Sequence, residues 1–258
     1  MKSDLFCLNN KTAIVTGAGR GLGRAIAEEL GLAGANVFIT SENADELNEA
    51  MQEMEKAGFS VNGYVCDLCD DNAHERLINT ALERFGGVDI LVCNAGIPGT
   101  PGSSAPMDMD NYARVMSLNL RSTVLLTGTI IPEMSKRGGG SVILMSSISG
   151  LRGNAALNAY SLAKAGVAQL ARNLAVEFGP DNIRVNAISP GLIQTPMSEE
   201  LLSNQDFMQR RLQMTPLRRV GLPSEIAGTA VFLASPAGAF VTGQNLVVDG
   251  GTVITDGS

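Results

Sequence analysis

The chain has no tryptophan, three tyrosines and eight phenylalanines in 258 residues, so aromatics supply only 4% of it. Its interior must be packed by Ala, Val, Leu, Ile and Gly rather than by rings. There is a single histidine, His74, and no G-x-S-x-G turn, which leaves a Ser-His-Asp hydrolase without support. Cysteines number four: Cys7, Cys66, Cys69 and Cys93. Cys66-Asp67-Leu68-Cys69 has C-x-x-C spacing, but a metal site needs further Cys or His partners, so no metal is expected. Reduced, buried thiols of a cytoplasmic protein are the expectation. Basic clusters are also missing. Lys and Arg total 19 against 26 Asp and Glu, the formal charge is −7, and Arg218-Arg219 is a mere pair. A nucleic-acid binder needs a positive surface to replace counterions, so none is expected here. No run approaches the roughly 18 apolar residues of a membrane span. The opening Met1-Lys2-Ser3-Asp4-Leu5-Phe6 carries no apolar stretch after its charge, unlike a signal peptide.

What is present is apolar material in a regular arrangement. Hydrophobic residues make up 45% of the chain, enough for a sizeable core, and 29 glycines provide tight turns. Short β-branched runs alternate with longer amphipathic stretches. Strands are predicted at 12–16, 36–40, 61–66, 88–93, 141–145, 184–188 and 245–249. Helices are predicted at about 21–33, 44–57, 73–85, 110–134, 158–178 and 224–234. The strand runs are continuously apolar, as buried parallel strands are. Seven strands alternating with helices predict a doubly wound parallel sheet with helices on both faces, as one α/β domain over 1–258. No repeat or low-complexity linker divides it.

Three loops fall at carboxyl ends of strands, where such folds bind ligands. Thr16-Gly17-Ala18-Gly19-Arg20-Gly21-Leu22-Gly23 follows the first strand and opens the first helix. Such a turn brings backbone N–H groups to a pyrophosphate at a helix N-terminus. It departs from G-x-G-x-x-G, because Leu22 and Arg24 occupy the third-glycine positions in the two registers. Asp67, with Leu68, follows the third strand, where a carboxylate can accept from an adenine amino group. Asn94-Ala95-Gly96 follows the fourth and brings small residues to a ribose.

The chemistry-bearing residues lie further on. Tyr160 and Lys164 are four apart, hence on one helix face, and Ser147 lies thirteen residues upstream of the tyrosine. An ammonium beside a phenol favours phenolate and lowers its pKa from roughly 10. Such a phenol can exchange a proton with a carbonyl or alcohol oxygen, which a serine hydroxyl would polarise.

Together, the Thr-Gly-x-x-x-Gly-x-Gly turn, Asn94-Ala95-Gly96, Ser147, Tyr160-x-x-x-Lys164, Pro190-Gly191 and Val248-Asp249-Gly250-Gly251 resemble the classical short-chain dehydrogenases/reductases, of the 3-oxoacyl-reductase-like kind. The resemblance runs from about Lys11 to Gly251. It implies a Rossmann-type domain, NAD or NADP as cofactor, a homotetramer, and interconversion of a ketone and a secondary alcohol by hydride transfer. It assigns Tyr160 as general acid/base and Ser147 to the reacting oxygen. Lys164 would tune the phenol and hold the nicotinamide ribose, and Asn119 would support a water chain to that lysine. Pro190 and Gly191 would open a segment setting Ile193 and Thr195 against the nicotinamide carboxamide, with a lid over about 192–215. An acid ending the second strand marks many NAD-dependent relatives, but Ser41 stands there, and Glu42 stands where many NADP-dependent relatives carry arginine. Arg20 would attract a phosphate, so the choice of cofactor stays open. Ser149, Asn154 and Asn158 hint at a polar pocket. Epimerase or dehydratase chemistry on the same fold, or a regulatory role, are the alternatives.

Overall fold

A computed structural model of the chain describes residues 4–255. Met1, Lys2 and Ser3 of the opening segment and the last three residues of the 1–258 span lie outside these.

β-Branched apolar runs become strands and the amphipathic stretches become helices. In chain order these are β1 (Thr12–Val15), α1 (Gly21–Leu32), β2 (Asn36–Ser41), α2 (Ala44–Lys56), β3 (Val61–Val65), α3 (Ala73–Phe85) and β4 (Ile90–Cys93). Then follow α4 (Met109–Met116), α5 (Ser122–Lys136), β5 (Gly140–Met145), α6 (Asn158–Phe178) and β6 (Ile183–Pro190). Last come α7 (Glu199–Ser203), α8 (Gln205–Gln213), α9 (Pro223–Ala234) and β7 (Asn245–Val248). No helix among the described residues is long and apolar enough to cross a membrane.

One sheet holds all seven strands in the order β3-β2-β1-β4-β5-β6-β7, every pair parallel. The chain winds outward from β1 in both directions, so β1 and β4 flank the point where the winding reverses. Alternate residues serve opposite cores. Ala13, Val15, Val37, Ile39, Ile90, Val92 and Ile143 pack against α1 and α9 with Ile26, Leu30, Ile226 and Leu233. Ile14, Phe38, Leu91, Val142 and Leu144 pack on the other face with Leu77, Ile130, Val167 and Ala171 of α3, α5 and α6. The predicted rings are indeed sparse there; Phe38 meets Phe85 edge-on at 6.4 Å between centroids.

Two expectations are corrected. β3 and β7 close the sheet at its edges and are only half-buried, so the continuous apolar burial predicted for every strand holds for the inner five. The single helix predicted at 110–134 is two helices joined by a π-helical turn, Ser117–Arg121. The extra residue per turn swings Asn119 inward, where it is 1% exposed.

Candidate active site

The crevice beyond β1 and β4 is built from the Thr16–Gly23 turn and Asn94. The Thr16 hydroxyl accepts the Asn94 and Ala95 N–H groups at 3.0 and 3.1 Å. The Asn94 amide returns to the Thr16 and Gly17 carbonyls at 3.0 and 3.1 Å. These bonds hold Gly17 at φ +62° with its Cα hydrogen side against Ala95, where a Cβ would lie 2.9 Å from the Ala95 Cα. A Cβ on Gly23 would fall 2.3 Å from the Gly17 carbonyl oxygen. This glycine therefore serves the close packing of turn on helix that the missing third motif glycine would have served. Arg20 occupies the N-cap of α1 in extended conformation and its side chain leaves the first N–H groups uncapped. An uncapped helix N-terminus at a glycine-lined crevice suits a pyrophosphate.

Around the adenosine end, Gly19 lies against Ser41, whose hydroxyl accepts the Asn43 N–H at 3.1 Å. Glu42 is exposed, and Arg20 pairs with Glu46 at 3.4 Å. Leu68 is buried, while Asp67 is exposed and accepts the Cys69 N–H with one oxygen at 2.8 Å. At the other end, Pro190 closes β6 and Gly191 donates to the Val248 carbonyl at 2.9 Å. Ser198 then gathers the next segment, donating to the Ile193 carbonyl and accepting the Thr195 N–H at 2.6 and 3.0 Å. Thr195 and Pro196 thereby come within van der Waals reach of Gly21. The first and last predicted cofactor motifs thus meet across the crevice. The donor set and the glycine-lined space fit a dinucleotide.

The catalytic candidates converge beside this crevice. Ser147 sits just after β5, and its Oγ accepts the Ser149 N–H at 3.1 Å. That bond leaves the hydroxyl proton free to point away, and the hydroxyl faces the Tyr160 phenol. Lys164, 5% exposed, lies one turn beyond with Nζ 5.6 Å from the Tyr160 ring centroid. It donates to the Met145 carbonyl at 2.7 Å. Ser146 donates to the Lys164 carbonyl at 2.8 Å, which fixes α6 against the end of β5. Asn119 both accepts the Ile97 N–H and donates to the Ile97 carbonyl at 2.8 Å. Gly96 separates Asn119 from Lys164: a Cβ there would lie 3.0 Å from Asn119 Oδ1 and 3.5 Å from Lys164 Nζ. All four catalytic candidates and the Asn94–Gly96 loop therefore share one side of the crevice.

The electrostatics differ from the sequence expectation. Burial pushes the Tyr160 phenol up from its ordinary value, and Ser147, through its hydrogen bond, is what opposes this. Burial also pushes the Lys164 ammonium down to about 8. The same desolvation disfavours both ions.

Other candidates fall outside the site. Asn154 accepts the Ala156 and Leu157 N–H groups, and Asn158 accepts that of Ala159. Their side-chain oxygens thus organise the backbone around the start of α6, Asn154 exposed and Asn158 buried; Ser149 is buried and enters through its N–H. Burial and the nearby Asp67 raise both Cys66, to about 11, and Cys69. All four thiols are free, and no cluster of three or more His, Cys, Asp or Glu forms among the described residues. His74 is buried in α3, and burial lowers its pKa. Sequence reasoning missed the Met145 carbonyl, the Ser149 N–H and Glu46. Backbone groups carry no residue-type signal, and Glu46 reads as an ordinary exposed helix acid.

Comparison with known proteins agrees with this geometry. The family model described as enoyl-(acyl carrier protein) reductase matches residues 17–253. Dehydrogenase/reductase SDR family member 4 of Oryctolagus cuniculus is 38% identical over 95% of this chain and 94% of its own length. A solved 7α-hydroxysteroid dehydrogenase complexed with NADH and 7-oxo glycochenodeoxycholic acid superposes with TM-score 0.93 at 38% identity, covering 97% of each chain. A gluconate 5-dehydrogenase from Burkholderia cenocepacia, in complex with NADP and tartrate, superposes with TM-score 0.94 at 29% identity, covering 98% of each chain. The chain belongs to the classical short-chain dehydrogenase/reductase family and is an NAD(P)-dependent oxidoreductase.

Proposed function

We propose that this enzyme interconverts a ketone and a secondary alcohol in a single catalytic domain, with Tyr160 exchanging the proton. The convergence of Ser147 and Tyr160 at the end of β5, with Lys164 beneath them, carries the assignment, because one substrate oxygen placed between the two hydroxyls reaches both. When bound, the nicotinamide supplies the hydride in reduction and accepts it in oxidation. In reduction, the Tyr160 O–H gives its proton to the substrate oxygen as negative charge develops there. Ser147, oriented by the Ser149 N–H, donates to the same oxygen and stabilises that charge. An ammonium has three donors, and the Met145 carbonyl takes one from Lys164. The other two would serve the nicotinamide ribose and a water relay returning a proton to Tyr160, with Asn119 supporting the relay. Gly17, Gly19, Arg20, Gly21, Leu22 and Gly23 would hold the pyrophosphate, and Ile193 and Thr195 the carboxamide.

Tyr160→Phe tests the reading. It removes the proton and keeps the ring, so turnover should fall by about 10²–10⁴-fold with cofactor affinity changed less than a few-fold. Retained turnover in that variant would overturn the assignment.

The reading includes a homotetramer in the cytoplasm. Support comes from the free thiols and from apolar side chains left open on two faces: Val124, Leu162 and Val176 on α5 and α6, and Phe240, Val247 and Ile254 near the β7 edge. The groove of Phe6, Gly228, Phe232 and Leu246 at that edge lies away from Tyr160 and suits subunit contact better than substrate. Light scattering of the purified protein measures the assembly directly.

A further inference from the structure

We propose that the Arg219–Glu225 ion pair is a positioning device for the nicotinamide end of the cofactor. It sets Gly221, Gly221 sets the Leu192–Gln194 segment, and that segment presents Ile193 and Thr195 to the carboxamide. The inference rests on the cofactor reading above and adds Arg219 and Glu225 behind it.

The links are hydrogen-bonded in series. Arg219 meets Glu225 as a fork, Nη1 donating to Oε2 at 2.8 Å and Nη2 to Oε1 at 2.5 Å. Glu225 Oε2 also accepts the Leu222 N–H at 2.8 Å. One carboxylate therefore ties both ends of the stretch 219–222, with Gly221 inside it. Gly221 in turn bridges to Ile193. Its N–H donates to the Leu192 carbonyl at 3.0 Å, and its carbonyl accepts the Gln194 N–H at 2.9 Å. These two bonds flank Ile193, whose own carbonyl accepts the Ser198 hydroxyl at 2.6 Å. The side chains follow the backbone: a Cβ on Gly221 would lie 2.5 Å from Ile193 Cδ1.

Close packing does not replace these bonds. A cavity of about 100 Å³, lined by Leu192, Ile193, Leu217, Val248, Arg219 and Glu225, lies beside both elements. An unfilled space offers no atoms to fix its walls, so hydrogen bonds set the distance between Gly221 and Ile193.

The approach to the pair is also held. Arg218 has φ +53°, the left-handed region that disfavours any residue with a Cβ. Its guanidinium donates to the Leu212 and Gln213 carbonyls at the end of α8, and the Leu217 N–H donates to the Gly250 carbonyl at 3.1 Å. The turn so fastened delivers Arg219 to Glu225. Backbone kept in such a region marks a geometry that the surrounding structure enforces.

The pair lies at the surface, where an isolated contact is weak. Fork geometry makes this one directional. Arg219 first, then the Leu222 N–H, holds the Glu225 carboxyl down at about 2, so the carboxylate stays ionised through the neutral range. By accepting the Leu222 N–H from the third position of α9, Glu225 also caps that helix. A cap needs no arginine, so the fork is explained by what lies on the Arg219 side.

The test separates the two ends of the cofactor. Binding of NADH and NADPH is followed by nicotinamide fluorescence, and that of ADP-ribose and 2′-phospho-ADP-ribose by calorimetry, in the wild type, Glu225→Gln, Arg219→Met and Arg219→Lys. Both side chains are exposed, so the substitutions leave the core intact. Glu225→Gln keeps an oxygen for the Leu222 N–H and loses the ion pair. It and Arg219→Met should weaken the preferred dinucleotide about tenfold and its ribose fragment less than about twofold. Arg219→Lys, which keeps the charge without the fork, should fall between. Equal loss of dinucleotide and fragment would make the pair a stabiliser of α9 alone and overturn the inference, as would unchanged dinucleotide affinity in both variants. Thr195→Val tests the reading beneath it. A split between dinucleotide and fragment in Thr195→Val but not in Glu225→Gln sinks the positioning role alone; no split in Thr195→Val sinks the carboxamide reading on which it rests.

Discussion

Lys164 Nζ and the Met145 carbonyl oxygen lie 2.7 Å apart in the buried floor of the active site, so the end of β5 carries a cation without a carboxylate to neutralise it. Burial brings the ammonium from 10.5 to about 8. A lysine with a folded pKa below its unfolded one binds fewer protons folded than unfolded between those two values, so stability rises with pH across that window. Below it the buried charge costs about 3 kcal/mol. Lys164→Met removes that cost but strips the Met145 carbonyl of its donor, worth about 1–3 kcal/mol. The variant should be inactive yet roughly 1 kcal/mol more stable at neutral pH, and less stable than wild type once the pH exceeds about 10. Urea unfolding at both pH values checks this; a stability difference that ignores pH would contradict it.

Ser147→Ala should lower kcat by about 10²–10³-fold with KM within a few-fold, because the donor acts on charge that develops during reaction. The hydrogen bond from Ser147 is also what restrains the Tyr160 pKa. Alcohol oxidation requires the phenolate, so its rising pH limb should move to higher pH in the variant. A pH–rate profile of the residual activity shows whether the limb moves.

Gly23→Ala should be costly although alanine suits a helix better. Its Cβ would lie 2.3 Å from the Gly17 carbonyl oxygen and 2.4 Å from Asn94 Nδ2, both fixed by the bonds between the β1 and β4 ends. The variant should lose about 1–3 kcal/mol of stability and bind cofactor about tenfold or more weakly. Gly128→Ala, in α5 with no atom within 4 Å of the added carbon, should gain about 0.5–1 kcal/mol. Thermal unfolding of both variants separates steric from helical effects.

Glu46→Gln addresses cofactor choice. Glu46 neutralises Arg20 across 3.4 Å at a largely solvent-open position, so the pair is weak, worth less than about 1 kcal/mol. Releasing Arg20 should raise the kcat/KM ratio of NADP to NAD by a few-fold. Paired kinetics with the two cofactors measure it, and a ratio that falls would assign Arg20 no part in phosphate recognition.

Much of the fold was legible because its signals are local. Thr12 to Val15 and Val142 to Met145 form inner strands because both faces of a parallel sheet are covered, which demands unbroken apolar runs. Strand β3 broke that rule because Asn62 and Gly63 sit at a sheet edge, and edge position is a property of strand order rather than of any one segment. The π turn at Ser117–Arg121 was equally invisible, since nothing in Ser-Leu-Asn-Leu-Arg distinguishes it from ordinary helix.

By itself, the sequence determined the alternation of strands and helices, the glycine turn, and the four catalytic candidates, because periodicity and residue type record local geometry and chemical capacity. Only the tertiary structure decided that Lys164 is buried against the end of β5, that Ser147 faces the Tyr160 phenol, and that the Asn154 and Asn158 side-chain oxygens accept backbone N–H groups around the start of α6. Desolvation and hydrogen-bond partnership depend on which distant segments close over a group, and the order of residues along the chain does not carry that information.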